Sequence, residues 1–253
     1  MIDPRLALII PAFNESRRLA DNLLTLLSYL QTFRPEGELI VVDDGSTDRT
    51  AQVAEELFAS RPDVSARVLR FEQNHGKGHA VRAGLLATRA PVALFSDADL
   101  STPITELPKI VEPIERGDYE IVIGSRALDR SLIGHRQPWR REQGGKVYNA
   151  IVRLTTGLPF ADTQCGFKAF RMCAVRPILE QAKVDGFGFD VELLFLAHRA
   201  GCRVLEVPVR WDHHEGSKVH IVHDSLHMFA EVVSLRRRVG RETPQPVRAK
   251  GSR

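Results

Sequence analysis

Two stretches decide the fold, LALIIPAFNE (6–15) and ELIVVDDGSTD (38–48). Each opens with a short run of aliphatic residues, which predicts a buried strand, and then turns polar. A helical pattern follows each stretch, over 16–33 and 47–60. Strand, polar turn and helix in this order predict repeated βα units and a mostly parallel sheet flanked by helices, which is the α/β class.

The same alternation continues outward from these two units. Further strands are predicted at 66–71, 91–96 and 120–124, with a helix after Lys77 and another at 105–115. The alternation stops over 126–159, where RSLIGHRQPWRREQGG (130–145) predicts a mobile loop before a helical pattern, KVYNAIVRLTTG (146–157). Helices are then predicted at 174–183, 189–200 and 225–239, and a late strand at 202–209.

These elements predict one domain over 1–240, without a linker that would divide it. A nucleotide-sugar-binding half is expected over 1–124 and an acceptor half over 125–240. The remaining residues, 241–253, are basic and rich in polar residues, which predicts a disordered tail.

The composition is that of a soluble globular protein. Of 253 residues, 43% are hydrophobic and 26% are charged, which is enough apolar content for a large core. No apolar run is long enough to span a bilayer, and the first residues lack the features of a signal peptide. The three cysteines form no CxxC pair, which favours a reducing, cytoplasmic setting.

Charge is distributed unevenly along the chain. The net charge is +3, but residues 231–253 contain seven Lys or Arg against two Glu, so the rest of the chain carries −2. This pattern argues against nucleic acid as a partner and predicts a local basic surface near the C-terminus.

The stretch FSDAD (95–99) places Asp97 and Asp99 just after an apolar strand. A parallel sheet presents its ligands at this end of its strands. Carboxylates there suit Mg²⁺ or Mn²⁺, which prefer oxygen ligands and share them with substrate phosphates. The alternative is that one of the two aspartates caps the next helix.

Acidic groups also follow the strand at 38–42. A carboxylate of Asp43 or Asp44 could accept a hydrogen bond from a base or a ribose hydroxyl. Ser46, Thr47 and Asp48 could instead serve as helix caps. The polar residues of PAFNE (11–15) end the first strand in the same way, so they are expected at the same edge.

The loop NHGKGHA (74–80) carries glycines and leads into a helix. Its backbone N–H groups and Lys77 can approach an anion closely. The loop is not a Walker A motif, and by itself it is a weak indication of nucleotide binding.

Taken in order, PAFNE, VDDGSTD, GKG and SDAD resemble the donor half of the family 2 glycosyltransferases, which have the GT-A fold. In the second half, GSR (124–126), DTQCGFK (162–168), FDVE (189–192), Trp211 and EGSK (215–218) look like the dolichyl-phosphate glucosyltransferase branch. The resemblance extends over about residues 5–238.

The resemblance implies an inverting transfer of glucose from UDP-glucose to a polyprenyl phosphate, with Asp97 and Asp99 holding the cation and Arg126 near the phosphates or the acceptor. It also implies a set of nucleotide-sugar-binding residues. These are Pro11, Ala12, Glu15, Asp43, Asp44, Lys77, Asp97 and Ala98.

The charge of the acceptor decides which catalytic groups the reaction needs. A lipid phosphate is already anionic at neutral pH, so its attack needs little help from a general base. It needs instead a cation on the leaving diphosphate and arginines on the attacking phosphate. The candidates for the acceptor phosphate are Arg126, Arg136, Arg140 and Arg141.

An alcohol acceptor would need a base, and Asp190 is the candidate base or orienting group. It could equally be the N-cap of the helix that follows. The candidate catalytic residues are therefore Asp99, Arg126 and Asp190.

Three other functions stay open. One is a family 2 transferase with another donor, such as GDP-mannose or UDP-GlcNAc, and another is a transferase with a saccharide acceptor. The third is a nucleotide-sugar-binding module without turnover. A nucleotidyltransferase is disfavoured, because PAFNE stands where its glycine-rich signature is expected.

A lipid acceptor requires contact with a membrane surface. In SLHMFAEVVSLRRRV (225–239), Leu226, Phe229 and Val233 form an apolar stripe beside three arginines at 236–238. Such a helix, together with Trp139 and the loop arginines, predicts peripheral attachment to the cytoplasmic face of a membrane. The alternative is that the stripe packs on the sheet. The sequence predicts no particular oligomeric state.

Overall fold

Seven strands form the sheet at the centre of the computed structural model, which describes residues 4–135 and 139–213. The strands are β1 Leu6–Ala12, β2 Gly37–Asp44, β3 Ser65–Phe71, β4 Val92–Ser96, β5 Ile121–Ser125, β6 Phe167–Arg171 and β7 Val204–Pro208. Their order across the sheet is β3-β2-β1-β4-β6-β5-β7. Strand β6 runs antiparallel to both of its neighbours, and the other neighbouring pairs are parallel.

Helices connect the strands and cover both faces of the sheet. They are α1 Leu19–Phe33, α2 Thr50–Ala59, α3 Lys77–Ala87, α4 Leu107–Glu115, α5 Trp139–Thr156, α6 Met172–Gln181 and α7 Phe189–Arg199. Short 3₁₀ turns lie at Ile104–Glu106 and Arg130–Leu132. The predicted α/β class with a mostly parallel sheet is confirmed.

The core has two layers because successive side chains of a strand point to opposite faces. In β1, Ala7 and Ile9 belong to the layer under α3, α5, α6 and α7. Their neighbours Leu6, Leu8 and Ile10 belong to the layer under α1, α2 and α4. The central strands are therefore apolar on both faces, which is typical of a doubly covered parallel sheet.

The first two helices begin about three residues later than predicted. The polar residues before α1 and α2 bind each other instead of continuing the helices. Asn14 N–H donates to Ser46 Oγ at 2.8 Å, and Thr47 N–H donates to Asn14 Oδ1 at 2.8 Å. Neither Ser46 nor Thr47 caps α2. Instead, Thr50 N–H at the start of α2 donates a hydrogen bond to Asp48 Oδ1.

The stretch 126–159 contains more helix than predicted. Helix α5 begins at Trp139, seven residues before the predicted start at 146. The two glycines at 144 and 145 disfavour a helix, but Lys146 Nζ lies 2.9 Å from Glu142 Oε1, one turn away. This ion pair helps to continue the helix across them.

Strand β6 is absent from the sequence-based prediction. Its residues FKAFR include Lys168, and a lysine in a short apolar run argues against a buried strand. In the structure Lys168 is fully buried, because an acid from α7 lies beside it. The predicted helix 225–239 and the predicted tail 241–253 lie outside the described residues.

Candidate active site

The carboxyl ends of β1, β2, β4 and β5 meet at one edge of the sheet, and the start of the antiparallel β6 joins them there. The order of the strands reverses next to β1, whose neighbours are β2 and β4. In open α/β sheets ligands bind at such a reversal. Pro11, Ala12, Asp43 and Asp44 end their strands at this edge. Glu15, Asp97, Asp99 and Arg126 lie on the segments that follow β1, β4 and β5. Lys77 and Asp190 lie instead in the first turns of α3 and α7.

Asp97 and Asp99 follow β4, as predicted, and neither caps a helix. Asp99 Oδ1 accepts a hydrogen bond from Ser101 N–H at 3.0 Å, and α4 begins only at Leu107. The capping alternative is therefore wrong. Helix α1 holds the turn between them, because Asn22 Nδ2 donates to Ala98 O at 2.7 Å.

Position 166 has to be a glycine for Asp97 to occupy its place. A Cβ on Gly166 would overlap the Asp97 carboxylate. Gly166 O also accepts from Asp97 N–H at 3.1 Å. The motif DTQCGFK therefore supports the metal-binding candidate directly, a role that the sequence did not reveal.

Lys77 is the first residue of α3 and reaches across to this turn. Its Nζ lies 2.6 Å from Asp97 Oδ1, and its side chain is 23% exposed. Burial lowers the pKa of Lys77, but the nearby carboxylates of Asp97 and Asp190 outweigh it and raise the pKa overall. Lys77 is therefore charged at neutral pH, and its ammonium is the cation that binds Asp97.

This observation bears on whether the site fits a divalent ion. In the described part of the chain, no three His, Cys, Asp or Glu side chains are grouped to hold a metal. Two carboxylates completed by the phosphate oxygens of a substrate fit Mg²⁺ or Mn²⁺. An ammonium in contact with Asp97 shows that this position attracts positive charge.

Asp43 and Asp44 at the end of β2 are both buried, but they have different surroundings. Asp44 accepts hydrogen bonds from His75 N–H, from Gly76 N–H at 2.7 Å and from Asn74 Nδ2 at 2.9 Å. It holds the loop before α3. Asp43 Oδ1 accepts from Ser46 N–H, whereas Asp43 Oδ2 is buried without a hydrogen-bond donor among the described residues.

The first strand brings three more of the predicted residues to this edge. Pro11 and Ala12 are the last residues of β1, opposite Val42 and Asp43 of β2. Glu15 pairs with Arg18, whose Nε lies 2.5 Å from Glu15 Oε2. The hydrogen bond to Glu15 raises the pKa of Arg18, and the carboxylates of Asp99 and Asp97 add to this effect, although the sequence did not single out Arg18.

Arg126 follows β5 and is held by Asp162. Two of its nitrogens, Nε and Nη2, donate to the two Asp162 oxygens at 2.7 and 2.8 Å. Its guanidinium also lies over the ring of Trp211, 5.6 Å from the ring centroid. Burial opposes both charges, but the pair holds the pKa of Asp162 down to about 2 and raises that of Arg126.

The sequence did not assign a role to Asp162. Its loop is anchored from two sides. Glu206 of β7 accepts hydrogen bonds from Ala161 N–H and Asp162 N–H, both at 2.8 Å, and Asn149 of α5 accepts from Thr163 Oγ1 at 3.0 Å. Arg126 is thus fixed by a carboxylate that is itself fixed.

Asp190 is not a helix cap, because α7 has Gly188 as its N-cap and Asp190 lies in the first turn. It is buried and accepts a hydrogen bond from Lys168 Nζ at 2.5 Å. Burial raises the pKa of Asp190, against the opposing effect of Lys168 and Lys77. The sequence likewise assigned no role to Lys168.

Three further arginines, at positions 136, 140 and 141, were predicted to bind the acceptor phosphate. Arg136 and the motif EGSK (215–218) lie outside the described residues. Arg140 and Arg141 lie in the first turn of α5.

Comparisons with known proteins agree with this architecture. Residues 7–179 match the model for "Glycosyl transferase family 2". The chain is 33% identical over 241 residues to a dolichyl-phosphate beta-glucosyltransferase of Dictyostelium discoideum, covering 91% of this chain and 73% of that protein. It is 37% identical over 227 residues to the Drosophila melanogaster protein of the same name, covering 85% of this chain and 69% of the relative.

Solved structures share the fold. Glucosyl-3-phosphoglycerate synthase from Mycobacterium tuberculosis, in complex with Mn²⁺, UDP-glucose and phosphoglyceric acid, superposes with a TM-score of 0.67 at 22% identity, covering 94% of this chain and 80% of that one. A Pyrobaculum calidifontis mannosyltransferase in complex with GDP-mannose and Mn²⁺ has a TM-score of 0.61 at 19% identity, covering 92% of this chain and 65% of that one. The expected GT-A fold is confirmed. With the family model matching residues 7–179 and two relatives above 30% identity, the chain belongs to glycosyl transferase family 2 and is a hexosyltransferase.

Proposed function

We propose that the protein transfers glucose from UDP-glucose to a polyprenyl phosphate of the dolichyl type, with inversion at the anomeric carbon. One observation supports this most directly. The loop 162–166 joins the aspartate pair after β4 to the fixed guanidinium of Arg126, because Asp162 binds Arg126 and Gly166 lies against the Asp97 carboxylate. The names of the relatives are consistent with this donor sugar and acceptor.

The reaction joins two anions. A phosphate oxygen of the lipid attacks C1 of glucose, the bond from C1 to the β-phosphate oxygen breaks, and UDP leaves. No proton is transferred, because the attacking oxygen is already charged. The protein therefore has to bind two phosphate groups close together without letting their repulsion separate them.

The leaving diphosphate is assigned to the turn after β4. Asp97 and Asp99 would hold Mg²⁺ or Mn²⁺, which when bound would neutralise the charge that develops on UDP. Both solved neighbours contain Mn²⁺ with a nucleotide sugar, which is consistent with this choice. Once separated from Asp97, the Lys77 ammonium would bind the same phosphates.

The nucleoside is assigned to the ends of β1 and β2. The buried Asp43 Oδ2 has no hydrogen-bond donor among the described residues, and Arg70 Nε is 3.7 Å away. A base N–H would satisfy this oxygen, as buried acceptors require. Pro11, Ala12 and Glu15 would line the same pocket, and Asp44 would act by shaping the loop before α3.

The acceptor phosphate is assigned to Arg126. Asp162 and Trp211 hold the guanidinium in one orientation, which favours a planar contact with phosphate oxygens. Arg136, Arg140 and Arg141 are the further candidates for this phosphate.

A saccharide acceptor is disfavoured by the surroundings of Asp190. A hydroxyl acceptor needs a general base that it can touch. Asp190 is 3% exposed, and its carboxylate is bound by Lys168. It is better placed as a positioning residue than as a base.

A crossed transfer assay tests the function. Purified protein is incubated with UDP-glucose, UDP-GlcNAc or GDP-mannose, each with polyprenyl phosphate, polyprenol or a disaccharide. We expect product only from the combination of UDP-glucose with polyprenyl phosphate. Transfer to the disaccharide or polyprenol would overturn the acceptor, a preference for another donor would overturn the sugar, and UDP binding without any turnover would favour a binding module.

A further inference from the structure

Helix α5 has one face that nothing in the described structure covers. Trp139, Val147 and Leu154 are 72%, 61% and 83% exposed, although large apolar side chains are normally buried. At 100° per residue, positions 139, 147 and 154 fall within about 80° of one another around the helix. Ala150 lies among them and is also exposed.

The same helix is anchored firmly on its opposite side. Tyr148 and Val152 are buried in the core layer, and Asn149 binds the loop that carries Asp162. The exposed apolar stripe is therefore not a consequence of a loosely packed helix. It is the outer face of a helix whose inner face supports the candidate active site.

Basic residues border this stripe. Lys146 and Arg153 are exposed and lie within about 40° of Trp139 around the helix. The only acidic residue of α5, Glu142, is held between Arg130 at 2.7 Å and Lys146 at 2.9 Å. By sequence α5 also carries Arg140 and Arg141, so the helix is strongly basic.

An apolar stripe with an exposed tryptophan and a basic border matches the surface of an anionic membrane. Tryptophan favours the headgroup region, leucine and valine reach the acyl chains, and Lys and Arg remain at the phosphates. A second protein copy would not require the basic border. Among residues 4–135 and 139–213, no helix has the length and apolar composition to cross a bilayer.

We propose that the outer face of α5, formed by Trp139, Lys146, Val147, Ala150, Arg153 and Leu154, binds the interface of an anionic bilayer. We call these residues the α5 face. A helix is about 10 Å across, so the face lies roughly one helix diameter from the loop that holds Arg126. A lipid phosphate at headgroup depth would then be near the Arg126 site. This inference deepens the proposed function, and its test separates the two.

The test measures binding of the full chain to vesicles by co-sedimentation. Vesicles contain phosphatidylcholine alone or equal parts of phosphatidylcholine and phosphatidylglycerol. One variant carries Trp139→Gln and Leu154→Gln. The matched control carries Leu24→Gln and Phe33→Gln, which replace two exposed apolar residues of α1. A third carries Gln at Arg236, Arg237 and Arg238, the basic end of the predicted C-terminal helix.

We expect the wild type to bind the anionic vesicles and to be released by high salt. The α5 variant should bind at least tenfold more weakly, the α1 control should bind like the wild type, and UDP affinity should be unchanged in both. Unchanged binding of the α5 variant would overturn the proposal, and so would loss of binding in the arginine variant alone. A wild-type dimer that ignores vesicles and is broken by the α5 substitutions would make the face a contact between copies.

Transfer assays separate this inference from the function. With polyprenyl phosphate in detergent, the α5 variant should be as active as the wild type, and with the acceptor in vesicles it should lose at least tenfold. One outcome is that neither the wild type nor the α5 variant transfers glucose to the lipid, in detergent or in vesicles, while vesicle binding still depends on the α5 face. This result would overturn the proposed function and support the proposed membrane-binding surface.

Discussion

Lys77 Nζ lies 2.6 Å from Asp97 Oδ1, so the ammonium at the start of α3 neutralises the first carboxylate after β4. The two residues are twenty positions apart and belong to different βα units. The contact has an energetic consequence, because a divalent ion that binds Asp97 has to compete with this ammonium. If Asp97 holds the ion as proposed, binding of the ion and release of Lys77 are coupled.

Replacing Lys77 with Met should have opposite effects on two ligands. Without nucleotide, Mn²⁺ should bind several-fold more tightly, because nothing competes for Asp97. In the presence of Mn²⁺, the affinity for UDP should fall about tenfold, which is about 1.4 kcal/mol, because the diphosphate loses its contact with the Lys77 ammonium. Calorimetric titrations of Mn²⁺ and of UDP with Mn²⁺ measure both. Equal effects of the same sign would contradict the competition.

Asp99→Asn keeps the shape of the side chain and removes its charge. We expect turnover to fall by two or more orders of magnitude, about 3 kcal/mol of lost stabilisation of the leaving group. Asp63→Asn, an exposed carboxylate between α2 and β3, is the control and should be fully active. Full activity of the Asp99 variant in EDTA would exclude a metal role for this residue.

The two carboxylates at the end of β2 should separate by experiment. Asp43→Asn should weaken UDP binding at least tenfold and leave the unfolding temperature nearly unchanged, since its Oδ2 bonds to no donor in the described chain. Asp44→Ala leaves the N–H groups of His75 and Gly76 without their acceptor, which should lower the free energy of unfolding by about 1–3 kcal/mol. Calorimetry and thermal unfolding of both variants give the comparison. Unchanged UDP affinity in both would place the nucleoside elsewhere.

Asp190 and Lys168 form a buried pair whose role can be tested through stability. Asp190→Asn leaves the Lys168 ammonium buried without a counter-charge, and we expect a loss of about 3–5 kcal/mol in the free energy of unfolding. The double variant Asp190→Leu with Lys168→Met should recover most of this loss. Urea unfolding of the three proteins is the measurement. A fully stable Asp190→Asn protein without activity would instead argue that Asp190 acts as a base.

The Arg126–Asp162 pair predicts a pH dependence of stability. Its depressed folded-state pKa, about 2 against an ordinary 3.8, means that the folded protein favours the ionised carboxylate. The resulting stabilisation is present above pH 4 and is lost as the pH falls toward 2, and it amounts to about 2 kcal/mol.

This dependence is measured against Asp162→Asn, which resembles the protonated acid and does not titrate. The difference in free energy of unfolding between wild type and variant should be about 2 kcal/mol at pH 6 and about half of that at pH 3. A difference that stays constant between these values would show that the ion pair does not stabilise the fold.

The class of the fold and part of the site follow from the sequence alone. The predicted strands at 6–10, 38–42 and 91–96 are mainly aliphatic on both faces, which is typical of a parallel sheet covered by helices on both sides. Since carboxyl ends of parallel strands meet at one edge, the positions of Asp43, Asp44, Asp97 and Asp99 at a common edge also follow. The predicted strand ends and helix starts were displaced where polar residues bind a neighbouring loop, as before α1 and α2.

Only the tertiary structure decided which charged groups are paired and which surface is uncovered. In the sequence, Lys168 argues against a buried strand. In the structure it is buried because Asp190, twenty-two positions later in α7, lies beside it. Asp162 holds Arg126 from thirty-six positions away. The stripe on α5 is exposed because Tyr148 and Val152 face the core. A pattern along the chain encodes periodicity, whereas ion pairs and exposed faces depend on what distant segments bring to the same place.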